Sequence, residues 1–132
     1  MKLNRLAIVG LGSIGRRHLR LISEIRPDIE IIIVRSGYGS VFDEDKAAVK
    51  IVYSIDDAVK IGIQAAIISS PAVLHLDQSL ELAKHGIHLL IEKPISNTLN
   101  GVDKLIQLLD KTSLKVMVGY VLRYEPGAIK FK

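Results

Sequence analysis

Leu6-Ala7-Ile8-Val9-Gly10-Leu11-Gly12-Ser13-Ile14-Gly15-Arg16-Arg17-His18 is the stretch whose reading decides the fold. Four apolar residues break into three glycines spaced G-x-G-x-x-G, and residues able to wind a helix follow. A strand, a tight turn and a helix start in that order are the context a dinucleotide-binding fingerprint requires. Gly10 lets the chain turn at φ values other residues resist, Gly12 leaves room for a pyrophosphate, and Gly15 lets the helix pack close to the strand. The first amides of that helix, with Ser13 and Ile14 among them, face the phosphates with unpaired N–H groups and the positive end of the dipole. The plainer reading of the same glycines is a turn that only packs tightly.

Working outward, short β-branched runs alternate with amphipathic stretches, which predicts successive βα units and a parallel sheet. Strands are expected at 5–9, 29–34, 50–53, 64–69, 88–91 and 115–118. The run Ile29 to Val34 is almost all isoleucine, as in a strand covered on both faces. The first helix is expected over Ser13–Ile25, with Ile14, Leu19, Leu21, Ile22 and Ile25 facing inward. Ser54 caps a short helix from Ile55 to Ile61, with Asp56 and Asp57 in its first turn. A helix over 72–85 carries Val73, Leu76, Leu80 and Ala83 on one face and closes on Gly86. Asn97 or Thr98 is expected to cap a last helix reaching Asp110. Between strands two and three only Phe42 to Val49 is able to wind a helix, so the Gly37–Lys46 crossover reads as abbreviated. The architecture predicted is α/β: a Rossmann-type doubly wound parallel sheet of about six strands between two helical layers.

The chain has 132 residues, a hydrophobic fraction of 48% and an aromatic fraction of 5%, with a mean hydropathy of +0.30. One domain with an aliphatic core is expected. No apolar run reaches the roughly 18–20 residues a membrane span requires, and the first residues lead straight into a strand. These features predict a soluble, cytoplasmic protein. Zero cysteines remove disulfides, thiolate metal sites and thiol catalysis, and no His/carboxylate set has metal-ligand spacing. The formal net charge of +4 comes from scattered Lys and Arg without the aromatic platforms of nucleic-acid binders.

Three further places carry candidate chemistry. At the end of strand two, where NAD-binding domains usually place a carboxylate about 20 residues beyond the glycines, stand Arg35 and Ser36. A guanidinium binds a 2′-phosphate where a carboxylate repels it, so NADP(H) is expected in preference to NAD(H). Ser69, Ser70 and Pro71 end strand four beside the point where strand order reverses, with His75 one helical turn on. Glu92-Lys93-Pro94 emerges from strand five: Glu92 is able to accept a hydrogen bond from a ribose or amide, and Lys93 to assist proton transfer at a substrate hydroxyl. Arg16, Arg17 and Arg20 read as a solvated helix face, with phosphate contact the alternative for Arg16 or Arg17, His18 as packing under the loop, and His85 and His88 as turn residues.

The series GLGSIGRRH, SSPAVLH, LLIEKP and VGYVLRYEP resembles the N-terminal half of the Gfo/Idh/MocA oxidoreductases, which include glucose-fructose oxidoreductase and inositol dehydrogenase. The resemblance implies hydride transfer between nicotinamide and a sugar, cyclitol or nucleotide-linked sugar. It implies Gly10, Gly12 and Gly15 on the pyrophosphate, Ser70, Pro71 and His75 lining the cofactor cleft, Lys93 as the catalytic lysine, Glu92 on the cofactor, and Arg123, in the motif with Tyr120, near the nicotinamide. Residues 1–119 then form the NAD(P)-binding domain, and 120–132 lead towards a second, substrate-binding α/β domain that these residues lack, whether as an isolated domain, a cleavage fragment or a truncated gene. The expectation is cofactor binding without efficient turnover, and self-association through apolar faces at 94–99 and 116–122 as a homo-oligomer. The rival readings are a redox-sensing or regulatory binding module and an oligomerisation domain that has lost its cofactor.

Overall fold

Ile8, Ile32, Ile33, Ile68 and Ile91 are fully buried, although successive side chains of a strand point to opposite faces. Both faces of the sheet must therefore be covered. In the computed structural model, which describes residues 2–38 and 50–130, the strands are β1 (Arg5–Val9), β2 (Glu30–Val34), β3 (Lys50–Val52), β4 (Ala65–Ile68), β5 (His88–Ile91) and β6 (Val116–Val118). They pair in the order β3-β2-β1-β4-β5-β6, all parallel. The helices are α1 (Ser13–Ile25), α2 (Ile55–Ile61), α3 (Ala72–Lys84), α4 (Val102–Asp110) and α5 (Pro126–Lys130), with a 3-10 turn at Val121–Tyr124. One face of the sheet, with Ala7, Val9, Ile32 and Ile68, packs on Ala58 of α2, Leu82 of α3 and Leu105 of α4. The other, with Leu6, Ile8, Ile31 and Ile33, packs on Leu19 of α1. This is the three-layer α/β arrangement read from the sequence.

Several local expectations need correction. Within α1 only Gly15 and Leu19 are buried, while Ile14, Leu21 and Ile25 are 42%, 36% and 72% exposed. A 13-residue helix on one sheet face covers a narrow stripe, and those three flank it. Val73 is likewise exposed, whereas Leu76 and Ala83 are buried and Leu80 packs on the core as expected, with His75, Ser79 and Leu82 buried beside them. Neither Asn97 nor Thr98 caps α4, which starts at Val102 behind Gly101 at φ +85°. The Thr98 hydroxyl accepts from the Asn100 amide, and the Ser96 hydroxyl from the Thr98 amide, so these side chains build turns before the helix. The strands at 29–34, 50–53, 64–69 and 115–118 are each shorter by one residue at one end or both. After β6, where no element was expected, the chain forms the 3-10 turn and α5. The Ser54 cap is as expected: its hydroxyl accepts from the Asp57 amide at 3.1 Å. The possible helix at 42–49 and most of the crossover lie outside the described residues.

At the turn between α1 and β2 the Arg26 guanidinium donates twice to Asp28, each at 2.8 Å. That hydrogen bonding holds the Asp28 carboxyl down to about 2.

Candidate functional site

The chain leaves β3 at one sheet edge and re-enters beside β1 as β4, so the carboxyl ends of β1 and β4 meet where strand order reverses. Ligands of such sheets bind there. Gly10, at φ +87°, passes so close to β4 that a Cβ on it would lie 2.7 Å from the Ser70 backbone. A Cβ on Gly15 would run into the Gly10 carbonyl and come within 2.9 Å of the Ser69 hydroxyl. That hydroxyl donates to the Gly10 carbonyl at 2.7 Å. Above Gly12, the residue before α1, a Cβ would meet nothing within 4 Å. The loop is thus closed against the sheet on one side and open on the other. The open side faces a cavity of about 700 Å³ lined by Gly10, Gly12, Ser13, Ile14, Arg35 and Ser36, among others. No acidic residue stands in the first turn of α1, so nothing there opposes an anion at the helix amides.

Opposite the glycine loop the same cavity is walled by Ser69, Ser70 and Pro71. Their hydroxyls are already engaged: Ser69 on Gly10, and Ser70 donating to Gln78 Oε1 at 2.5 Å. These residues shape the wall through backbone rather than by presenting hydroxyls to a ligand. At the far end Tyr38 and Tyr53 line the cavity while 87% and 68% exposed. They were not singled out from the sequence; aromatics flanking the end of β2 and β3 are the signal that marks them.

The Glu92-Lys93-Pro94 loop follows β5. Lys93 is exposed. The Glu92 carboxylate accepts a 2.7 Å hydrogen bond from Nε2 of His18 on α1, the two side chains being 15% and 21% exposed. His75, only 2% exposed, does not line the cavity. Its Nδ1 lies 2.8 Å from the Pro94 carbonyl and its Nε2 2.7 Å from the Ser70 carbonyl. Arg123 lies exposed in the 3-10 turn, outside the cavity lining. Gly10, Gly12, Ser13, Ile14, Arg35, Ser36 and the Ser69–Pro71 wall are therefore brought together around the cavity, while Gly15, packed against Gly10, and Glu92, Lys93, His75 and Arg123 are not part of its lining. The role of His18 was missed, yet it stands three residues beyond the packed Gly15, on the same helix face.

Residues 4–120 match the model of Gfo/Idh/MocA, an oxidoreductase family with an NAD-binding Rossmann fold. The chain is 26% identical over 124 residues to inositol 2-dehydrogenase of Rhizobium meliloti (strain 1021), covering 92% of this chain and 37% of that protein. It is 24% identical over 132 residues to 2,7-anhydro-N-acetylneuraminate hydratase of Mediterraneibacter gnavus, covering 96% and 34%. Among solved structures, scyllo-inositol dehydrogenase from Lactobacillus casei with bound NAD(H) and scyllo-inositol superposes with a TM-score of 0.82 at 26% identity, covering 95% of this chain and 38% of that one. The chain spans 34% to 40% of the length of the curated relatives it matches.

Proposed function

The chain belongs to the Gfo/Idh/MocA oxidoreductase family, and from that premise we propose that residues 1–119 bind the nicotinamide dinucleotide of an oxidoreductase acting on a sugar, a cyclitol or a nucleotide-linked sugar. The observation that carries this reading is the glycine loop, closed against β4 at Gly10 and Gly15 and open above Gly12 onto the cavity. The residues present fit the cofactor: the α1 amides from Ser13 and Ile14 onward would hold the pyrophosphate, and the Ser69–Pro71 backbone would form the opposite wall. The nicotinamide, when bound, supplies hydride exchange with the substrate carbinol. Lys93, exposed at the end of β5, would hold or take up the proton of the substrate hydroxyl. Arg123, in the segment after β6, is proposed to approach the nicotinamide side.

The preferred cofactor is NADP(H), with NAD(H) as the weaker ligand. Arg35 and Ser36 line the cavity at the end of β2, and no carboxylate occupies those two positions. A guanidinium pairs bidentately with a 2′-phosphate. The family's description as NAD-binding and the NAD(H) held by the Lactobacillus casei relative make this preference the sharper claim. Residues 1–132 are proposed to bind cofactor without efficient turnover, since Lys93 stands exposed to water at the end of β5 and water exclusion strengthens the electrostatics of proton transfer. Leu99, Val121 and Leu122, exposed by 88%, 68% and 70%, favour self-association.

Calorimetric titration with NADPH and NADH tests the reading. Saturable binding with NADPH the tighter ligand is the expected result. Tighter NADH binding would remove the preference, and no binding of either at millimolar concentration would remove the function.

A further inference from the structure

Lys93 is exposed, yet the residue on each side of it is tied down by a different histidine. On one side, the Glu92 amide donates to the Ile68 carbonyl at 2.9 Å, and its carboxylate accepts from His18 of α1. Glu92 also lies against Gly119, where a Cβ would come within 3.1 Å of the carboxylate. On the other side, the Pro94 carbonyl lies 2.8 Å from Nδ1 of His75 on α3. The Ser79 hydroxyl donates to the His75 carbonyl at 2.6 Å, fixing that turn of the helix. Leu19, next to His18, packs with one face of the sheet, and Leu76, next to His75, with the other. The Lys93 loop is thus stayed from both faces of the sheet. Through its second nitrogen His75 also reaches the carbonyl of Ser70, so one buried ring spans from the cofactor wall to the loop that carries the lysine. An imidazole carries at least one N–H, so His75 gives at least one of the Ser70 and Pro94 carbonyls a donor that an apolar side chain of the same size would not supply.

We propose that His18 and His75 are positioning residues that hold Lys93 at the nicotinamide end of the dinucleotide site, with Glu92 serving as the partner of His18 and not as a ligand of the cofactor. This rests on the cofactor-binding reading above. It reassigns Glu92, which the family resemblance places on the cofactor. The inference turns on a juxtaposition: Glu92 and Pro94 are anchored to α1 and α3, and the exposed Lys93 stands between them.

The experiment compares the affinity of the 132-residue chain for NADPH with its affinity for adenosine 2′,5′-bisphosphate, which lacks the nicotinamide half. His18→Ala and Glu92→Ala are each expected to weaken NADPH about fivefold, the worth of one hydrogen bond, and to leave the bisphosphate unchanged. The double variant is expected to be no weaker than either single one, because the two side chains act as one unit. His18→Gln, whose amide sits where Nε2 was, restores binding. For His75 the two conservative variants separate its two contacts. His75→Asn keeps a donor near Nδ1 for Pro94 and retains NADPH affinity, whereas His75→Gln keeps the Ser70 contact, lets the loop go and loses the same fivefold. Thermal melts of each variant verify folding. A Glu92→Ala loss far larger than that of His18→Ala and additive with it would place Glu92 on the cofactor and overturn the proposal. Parallel loss of NADPH and bisphosphate, or equal behaviour of His75→Asn and His75→Gln, would overturn it as well. If the unaltered chain binds neither ligand, the cofactor-binding reading itself fails and takes this one with it.

Discussion

The six strands end very differently at their two ends. At the amino ends, Asn4, Arg5, Asp28, Glu30 and Gln64 surround a polar hollow of about 520 Å³, not much smaller than the cavity at the carboxyl ends. Its groups are largely matched to one another: Arg5 donates to Glu30 Oε2 at 2.6 Å with side chains 44% and 49% exposed, and the Gln64 amide bridges the Asn4 nitrogen and the Lys2 carbonyl. At the carboxyl ends the contacts are backbone against backbone at Gly10 and Gly15, with a buried histidine and a shielded His–Glu pair beside them. The cavity left there faces helix amides with no acid in the first turn. Size does not distinguish the two hollows. One is lined by exposed, water-screened pairs that are worth little and easily replaced; the other is bounded by steric and part-buried polar contacts at Gly10, Gly15 and Ser69.

The contrast breaks most severely at Gly15. Gly15→Val places a side chain against the Gly10 carbonyl, with an expected cost of about 1–3 kcal/mol of stability from overpacking and loss of cofactor binding, read by denaturant midpoint and calorimetry. Arg35→Ala is expected to weaken NADPH about tenfold, the scale of a charge-assisted hydrogen bond, while NADH changes less than twofold. Ser54→Ala removes the α2 cap and should lower stability by about 1 kcal/mol without altering the order of cofactor preference. The smallest effect belongs to the amino ends. Asp28→Asn breaks the exposed pair with Arg26 and should leave the melting temperature at pH 7 unchanged within error. Asp28 is held below its ordinary value of 3.8, to about 2, first by the Arg26 hydrogen bond. Whatever stability it contributes is therefore present above pH 3.8 and fades as pH falls towards 2. A melt series from pH 7 to pH 2 checks that any difference between the two proteins shrinks on acidification.

Much of the carboxyl end was legible because its determinants are local. Gly10, Gly12 and Gly15 lie within one turn and its helix start, Ser54 caps three residues ahead, and Lys93 follows an apolar strand directly. What was not legible depends on partners remote in sequence. His18 and Glu92 are 74 positions apart and His75 and Pro94 are 19 apart, and no periodicity announces either pair. The residues 96–101 misled for a different reason: a hydroxyl accepting an amide two residues on builds a turn with the same chemistry that caps a helix, and in Ser96 and Thr98 the turn prevailed. Val73 and Ile25 show the limit of apolar spacing. A helix on a sheet buries a stripe, and a hydrophobic residue one position off that stripe remains in water.

Amide chemical-shift mapping of the 132-residue chain during an NADPH titration tests the contrast between the two ends most directly. Shifts concentrated at Gly10–Gly15, Ser36, Ser69–Ser70 and Glu92–Lys93, with Arg5, Glu30 and Gln64 unmoved, are the expected result. Shifts centred on Arg5, Glu30 and Gln64, or spread evenly over both ends of the sheet, would contradict it.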